Sequence, residues 1–299
     1  MALEVDKSLV TAVITTHNRE ARIVERALRS VLSQTYHNIE TIVVDDSSAD
    51  FSERQMVAEM IQRYSEKNVC YIRHQKCLGA CAARNSGLMN ANGEFVAFLD
   101  DDDEWLPLKI ERELSGFISG DTALVYCETD TIDDDTNNRH HASRMLMKGY
   151  IYEALIAENF IGSTSFPLLR TSALKAIGGF DTEMKSAQDY DVWLRIAEKY
   201  EVNYVSETLA LYHVHFGEQI SKNPANRIAG LERLNEKNIE YLRNHPNAYG
   251  LRVIKIAPFY AMAGQTNKAF ETWWKAVRIW PWAIKRNVYY LAKIIVKRG

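Results

Sequence analysis

The 299-residue sequence has no apolar run near the ~18–20 residues that a membrane-spanning helix needs. Its first residues, Met1-Ala-Leu-Glu-Val-Asp-Lys7, have neither the basic start nor the apolar core of a secretion signal. These absences point to a cytoplasmic chain that meets a membrane, if at all, only at its inner face. Cysteine is sparse: Cys70, Cys77, Cys81 and Cys127. Only Cys77 and Cys81 are close together, with no second pair, so neither a zinc ribbon nor a disulfide framework is expected. They read as reduced thiols. An excess of one charge is also missing, since the net charge is −3. The balance is nevertheless uneven. Residues 226–299 hold 14 Lys/Arg against 4 Asp/Glu, a net of +10. The preceding 225 residues hold 22 against 35, a net of −13. A shift of this size separates two parts with different partners.

One stretch stands out among what is present: Phe95-Val-Ala-Phe-Leu-Asp100-Asp101-Asp102-Asp103-Glu104-Trp105. The apolar run has the length and composition of a buried strand, entered through a turn at Gly93-Glu94. The aspartates then fall at the strand's carboxyl end, where open α/β sheets bind ligands. Adjacent carboxylates repel one another. A hard divalent cation with oxygen ligands would hold them together; a solvated acidic loop would also tolerate them.

The rest of the first half alternates. Leu9–Thr15 reads as a strand and Thr16–Glu20 as a polar turn. Residues 21–34 carry helical spacing, with Ile23, Ala27, Leu28, Val31 and Leu32 on one face. Ile39–Val44 is a second strand, followed by Asp45-Asp46-Ser47-Ser48, with Ser48 or Asp50 as candidate cap for a helix to about Tyr64. Val69–Arg73 is a third strand and Gly79–Ala91 a helix of small residues. This order predicts a mainly parallel sheet covered by helices. A helix is expected from Pro107 to about Ile118, with Asp103 a candidate for capping it, and a strand over Thr122–Cys127. Glu128–Arg144, with its Asp133-Asp134-Asp135 and His140-His141, reads as an exposed loop or hairpin. Ile161–Arg170 looks extended, Gly178-Gly179-Phe180-Asp181 is a tight loop, and a helix begins near Ala187. Asp189 and Asp191 fall in its first turn, where negative charge suits the helix dipole. Val202–Val205 and Leu209–His215 read as two closing strands.

From about Asn226 the pattern is helical. Residues 254–281 resemble one helical hairpin of the tetratricopeptide kind, which must pack on something to bury its face. Residues 280–299 mix Trp282, Ile284, Val288, Tyr289, Leu291, Ile294 and Ile295 with Lys285, Arg286, Lys293, Lys297 and Arg298. Such a helix can lie on an anionic membrane, or dock on the main domain with its lysines in water. The expected division is 1–216 and 217–299.

Six segments taken together carry a resemblance: Thr15-Thr16-His17-Asn18-Arg19, Val43–Ser48, Gly79…Ala83-Arg84-Asn85-Ser86-Gly87, Phe98–Trp105, Gly178–Asp181 and Gln188–Arg195. In this order they resemble the family 2 inverting glycosyltransferases, over roughly residues 8–216. The resemblance implies the GT-A fold, a Rossmann-like α/β sheet that binds nucleotide sugars, here with a C-terminal helical extension. It also implies transfer of a hexose from a nucleoside diphosphate sugar, a UDP-sugar by preference, to a saccharide or lipid-linked saccharide acceptor. That chemistry fits bacterial surface polysaccharide synthesis.

The resemblance assigns roles position by position. Thr15, Thr16, His17, Arg19 and Asp46 match positions around the nucleotide base and ribose, and Arg84 matches one near the base or diphosphate. Asp102 matches the main ligand of a Mn2+ or Mg2+ ion, with Asp100 the second candidate and Asp101 facing ribose or metal. Gly179, Phe180 and Asp181 match the acceptor side. Asp189 matches the catalytic base, and Gln188 stands where the family usually has Glu. His17 stands where it often has Tyr. His215 lies near where some proteins of this fold place a further metal ligand, but reads more readily as a polar residue of a closing loop. Competing classes are a sugar nucleotidyltransferase, which would usually have a Gly-rich loop after the first strand, and a non-catalytic binding protein. Nucleic acid is not an expected partner, because the main domain is acidic and the basic tail is rich in Trp.

Overall fold

The computed structural model describes residues 7–214 and 223–296. Contacts divide the chain into two units: Met1–Tyr152 with Phe160–Thr182 and Val192–Phe216, and Glu153–Asn159 with Glu183–Asp191 and Gly217–Gly299.

The first unit begins β1 (Val10–Thr16), α1 (Ala21–Leu32), β2 (Ile39–Asp45), α2 (Arg54–Gln62), β3 (Val69–Arg73), α3 (Ala80–Asn90) and β4 (Phe95–Asp100). It continues with β5 (Glu104–Trp105), α4 (Lys109–Leu114), β6 (Thr122–Asp133) and β7 (Arg139–Ala142). α5 (Tyr152–Leu155), β8 (Leu168–Arg170), α6 (Thr171–Ala176), α7 (Gln188–Ala197) and β9 (Glu201–Val214) follow. α5 and α7 each cross the division between units.

β1 is central because its residues can be buried on both faces: Val10, Ala12, Val13 and Ile14 have no exposed surface. It pairs in parallel with β2 on one side and β4 on the other. The chain therefore lays β2 and β3 to one side of β1, then returns to place β4 on the other. The carboxyl ends of β1 and β4 flank that reversal, the place where such sheets take ligands. Beyond β4 the sheet is mixed. β8 is antiparallel to β4 and β6, β6 is parallel to β9, and β5 is antiparallel to β9.

Several elements differ from expectation for identifiable reasons. The two expected closing strands are one, β9, because a bulge opposite Cys127 and Glu128 takes up Ser206 and Glu207 without breaking the pairing. His215 lies outside the described residues. α2 is not capped by Ser48 or Asp50. Ser48 is engaged elsewhere, its backbone N–H and hydroxyl both donating to Asn18 Oδ1. α4 is shorter than expected, ending before Gly116, where an added Cβ would sit 2.6 Å from the Val125 side chain. The Glu128–Arg144 segment is a hairpin, β6 extending into it to pair with β7.

The second unit is helical: α8 (Pro224–Lys237), α9 (Ile239–Asn244), α10 (Pro246–Ile254), α11 (Ala257–Met262), α12 (Thr266–Ile279) and α13 (Ile284–Val296). α11 and α12 form a hairpin around Gly264, whose φ of 74° suits a residue without a Cβ. Its apolar centre comprises Val253, Ile254 and Ala276, and beside them Ala257, Ala269 and Ile294. The unit extends upstream of residue 217 because earlier segments bond to these helices. Tyr190 donates its hydroxyl to Leu155 O at 2.6 Å, Arg252 lies over the Tyr190 ring, and Lys237 pairs with Asp191. Among the described residues no helix is long and apolar enough to cross a membrane.

Candidate functional site

Two groups of carboxylates stand at strand ends on either side of β1. The first is Asp46, just past β2 and 2% exposed. Its backbone N–H bonds Thr16 O across the β1–β2 pair. Oδ1 accepts from His74 Nδ1 at 2.7 Å and from Leu78 N at 2.8 Å. Oδ2 accepts from Gly79 N at 2.7 Å and from the Cys77 thiol at 3.4 Å. A carboxylate only accepts, so His74 carries a proton on Nδ1. The other ring nitrogen of His74 bonds the Ser86 hydroxyl at 2.8 Å. His17 Nδ1 meets Asp46 O at 2.8 Å and lies 3.8 Å from Cys77 Sγ. The turn that brings His17 here is held by Asn18, at φ 48°, whose backbone N–H donates to Ser47 Oγ. Asp45 behind it is structural. Burial works to raise its pKa, but hydrogen bonds from Ser47 and Tyr71 and the charge of Arg54 hold it below the ordinary range.

The second group is Asp100–Asp103, and the structure separates its members. Asp101 and Asp103 turn inward, 5% and 0% exposed. Burial, opposed by Arg19 and reinforced by Asp102, pushes Asp101 up to about 6. Burial and the charges of Asp102 and Asp100 hold Asp103 well above the usual carboxylate range. Asp103 Oδ1 accepts from His213 N, and Oδ2 is buried without a hydrogen-bond partner. Asp103 therefore pins β9 and does not cap α4. Asp100 and Asp102 keep more solvent, with side chains 28% and 18% exposed.

Three arginines hold this cluster. Arg19 reaches Asp101 and Asp102, both at 3.0 Å. Burial opposes its charge, but Asp101 and Asp102 outweigh that and raise its pKa. Arg84 reaches Asp100 at 2.7 Å, and Arg26 donates to Asp102 O at 2.6 Å. Asp100 also accepts from the Ser163 and Thr164 hydroxyls, and its backbone N–H donates to Ser165 Oγ. Thr15, half-buried in β1, pairs in register with Asp100, and Thr16 is 3% exposed beside it.

A third layer was invisible in the sequence. His213 on β9 is wedged between Asp134 at 2.5 Å and Glu104 at 2.9 Å. Arg26 approaches the same two carboxylates at 3.7 and 3.6 Å. Burial would lower the His213 pKa, but its bonds to Glu104 and Asp134 raise it. This lattice fixes the backbone on which Asp102 stands. Of the Asp133–Asp135 run, Asp134 belongs to it, whereas Asp133 turns the hairpin by accepting from the N–H of Asp135 and Thr136.

The Gly178–Asp181 loop lies against α3. Gly179 has φ 67°, and a Cβ there would come within 2.6 Å of Asn85 Oδ1. That closeness lets Asn85 bond both the N–H and the O of Phe180, each at 2.8 Å. Phe180 is 2% exposed; its ring meets Phe98 edge-on at 5.0 Å and lies under Arg84 at 5.5 Å. Phe180 thus seats Arg84, while Asp181 stays half-buried. Asp189 and Gln188 belong to the second unit. Asp189, half-buried in the first turn of α7, meets Asn159 Nδ2 at 3.5 Å. Gln188 donates to Met184 O, and Ala187 enters the helix at φ 55°, a strained value for a residue with a Cβ.

The donor chemistry differs between the two strand ends. Asp100 and Asp102 offer only oxygen, partly exposed and backed by arginines, a set that fits Mn2+ or Mg2+. Asp46 has nitrogen and sulfur neighbours. The residues that sequence reading missed are His74, Cys77–Gly79, Ser163–Ser165, Arg26 and His213. A usable signal existed for one set, since Ser163-Thr164-Ser165 is a polar run just before a buried strand.

Comparison with known proteins adds three findings. The family model described as Glycosyl transferase family 2 matches residues 11–178. An Escherichia coli K12 protein named as the colanic acid biosynthesis glycosyl transferase WcaA is 33% identical over 72% of this chain and 76% of its own. Another E. coli protein, named UDP-Glc:alpha-D-GlcNAc-diphosphoundecaprenol beta-1,3-glucosyltransferase WfgD, is 29% identical over 67% of this chain and 74% of its own. Among solved structures, Staphylococcus aureus TarS 1–349 in complex with UDP-GlcNAc superposes with a TM-score of 0.68 at 19% identity, over 97% of this chain and 89% of its own. The Pyrobaculum calidifontis mannosyltransferase in complex with GDP-Man and Mn2+ gives 0.57 at 19%, over 98% and 87%. At this identity the two structures establish the shared GT-A fold.

Proposed function

The chain belongs to glycosyl transferase family 2, and on that premise we propose that it moves a hexose from a UDP-sugar to a hydroxyl of a lipid-linked saccharide, with inversion, in surface polysaccharide assembly. Membership removes the nucleotidyltransferase alternative. The observation that carries the reading is the pair of carboxylate sites at the ends of β2 and β4, flanking β1. Asp46 is pre-oriented to accept a hydrogen bond from a uracil ring N–H. Thr16 and His17 border it, and Thr15 pairs in register with Asp100. Asp100 and Asp102, with Arg19 and Arg84, face a diphosphate. The relatives' names supply the donor and acceptor classes: UDP-glucose and a diphosphoundecaprenol-linked sugar for one, UDP-GlcNAc for the TarS complex.

A hard divalent cation held by Asp102 and Asp100 would neutralise charge on the departing diphosphate. Arg84 and Arg19 add fixed positive charge at the same strand ends. Asp189 takes the proton from the acceptor hydroxyl as its oxygen attacks the anomeric carbon. A single displacement then inverts that centre. Gly179–Asp181 and Gln188 are assigned to the acceptor. The basic second unit suits a lipid-linked substrate: α13 exposes Ile284, Val288 and Ile295 on one stripe at 68, 60 and 56%, and Trp282 precedes it at 84%. Lys285 and Lys275, also on this unit, suit anionic headgroups. Wild type should sediment with anionic vesicles and a Trp282→Ser, Val288→Ser variant should not; equal sedimentation removes the membrane contact.

The central test is Asp189→Asn. It should bind UDP-sugar as wild type does while transfer falls by about 10³-fold or more. Turnover near wild type would take the base role away from Asp189.

A further inference from the structure

We propose that His17, Asp46 and Cys77 form a second cation site, for a thiophilic divalent ion such as Zn2+, distinct from the all-oxygen site at Asp100 and Asp102. One imidazole nitrogen, one carboxylate oxygen and one sulfur lie within 4.8 Å of one another. Their spacing already approaches a coordination shell. With Zn–S near ~2.3 Å and Zn–N or Zn–O near ~2.0–2.1 Å, tetrahedral geometry puts neighbouring ligand atoms about 3.3–3.6 Å apart. Cys77 Sγ stands 3.4 Å from Asp46 Oδ2 and 3.8 Å from His17 Nδ1. Those two separations are within a few tenths of an ångström of that range, and the third, His17 to Asp46, lies within 4.8 Å and closes as the His17 ring turns.

The surroundings favour such an ion. Asp46 is 2% exposed and its other oxygen is held by His74 and Leu78 N, with His74 braced by Ser86. Outer partners of this kind orient a liganding carboxylate. His17 and Cys77 are exposed, so a fourth position opens to water. Binding requires two local changes. The Cys77 thiol gives its proton to solvent and coordinates as thiolate. The His17 ring leaves Asp46 O and coordinates through an unprotonated nitrogen.

The consequence for function rests on reading Asp46 as the base contact. A carboxylate has about four lone-pair positions, and those of Asp46 are taken by His74, Leu78 N, Gly79 N and the Cys77 thiol. An incoming base N–H must displace one. The thiol is the longest and weakest donor, so it is the placeholder. A thiophilic ion occupies the position the base needs and competes with the nucleotide.

The experiment titrates Zn2+ against a chromogenic chelator with the full chain in millimolar Mg2+, which fills the oxygen site. Wild type should bind one Zn2+ at micromolar concentration or tighter. Cys77→Ala and His17→Ala, both at exposed positions, should each weaken it at least about 10-fold. Unchanged Zn2+ affinity in both variants overturns the site. UDP binding is then measured with and without Zn2+. Loss of UDP affinity in wild type but not in Cys77→Ala supports the competition. Cys77-dependent Zn2+ binding with unchanged UDP affinity keeps the cation site and overturns the base reading of Asp46.

Discussion

Asp46 and the Asp100–Asp103 run stand at neighbouring strand ends but handle negative charge in opposite ways. Asp46 is one carboxylate surrounded by donors, two of them backbone N–H groups of the loop entering α3. The Asp100–Asp103 run packs four carboxylates together, relieves itself by burying two, and leans on Arg19, Arg26 and Arg84 for the rest. The first is satisfied without a ligand. The second carries like-charge repulsion that a multivalent cation would relieve. Preorganisation and stored electrostatic strain are thus segregated, one for a neutral ring N–H and the other for a metal with diphosphate.

The contrast breaks most visibly in Asp102→Ala. Removing the main oxygen ligand should cut kcat/KM by about 100-fold or more and abolish the response to added Mn2+. Stability should hardly move, by less than about 1 kcal/mol, because the partly exposed pair with Arg19 that is lost is offset by relief of repulsion within the cluster. Metal titration of initial rates and a thermal melt in chelator check both halves. Full activity in excess chelator would sink the metal assignment outright.

Asp46→Asn sharpens the other side. The amide keeps one acceptor but faces the backbone N–H groups of Leu78 and Gly79 with fewer lone pairs. Buried donors without partners cost about 1–3 kcal/mol. The donor KM should rise roughly 10-fold or more with kcat largely kept, and the protein should melt lower. The size of the stability loss therefore separates the two carboxylate sites. If Asp46→Asn melts no lower than Asp102→Ala, the distinction between satisfied and strained carboxylates is wrong.

The sequence shows much of this arrangement because the relevant signals are local. Three apolar runs, each ending in polar residues, are enough to place β1, β2 and β4 and their carboxyl ends. Asp46 and Asp100–Asp103 were legible for that reason. Their inequality was not, because burial of Asp101 and Asp103 depends on β9, over a hundred residues away, and on Arg19 in the β1–α1 turn. His213 was unreadable for the same reason: nothing adjacent to it names Glu104 or Asp134. The single strand β9 was missed because Ser206-Glu207 looks like a turn locally, and only its partner β6 shows that two residues bulge out. Asp189 was legible as an acid in a helix's first turn, but its neighbour Asn159 comes from a segment with no periodic signal.

The smallest effect on turnover is expected from a buried carboxylate outside both sites, which serves as their control. Glu113 and Lys109 are an ion pair with no exposed surface, the ammonium 4.7 Å from the Trp105 ring centre. Burial, opposed by Lys109, pushes Glu113 up to about 7. A carboxyl whose folded pKa exceeds its unfolded value stabilises most below the unfolded pKa, and that contribution is lost as pH rises through the folded one. Between pH 5 and 8 the loss is on the order of 2 kcal/mol. A Lys109→Met, Glu113→Leu variant replaces the pair with apolar groups of similar size, an exchange often neutral or stabilising. Urea unfolding at pH 5 and 8 should show the variant's stability changing less with pH than wild type's by that amount, with transfer activity unchanged. Parallel curves would mean that Glu113 stays ionised throughout. Strain in a buried carboxylate would then be confined to the Asp100–Asp103 run, where a cation can relieve it.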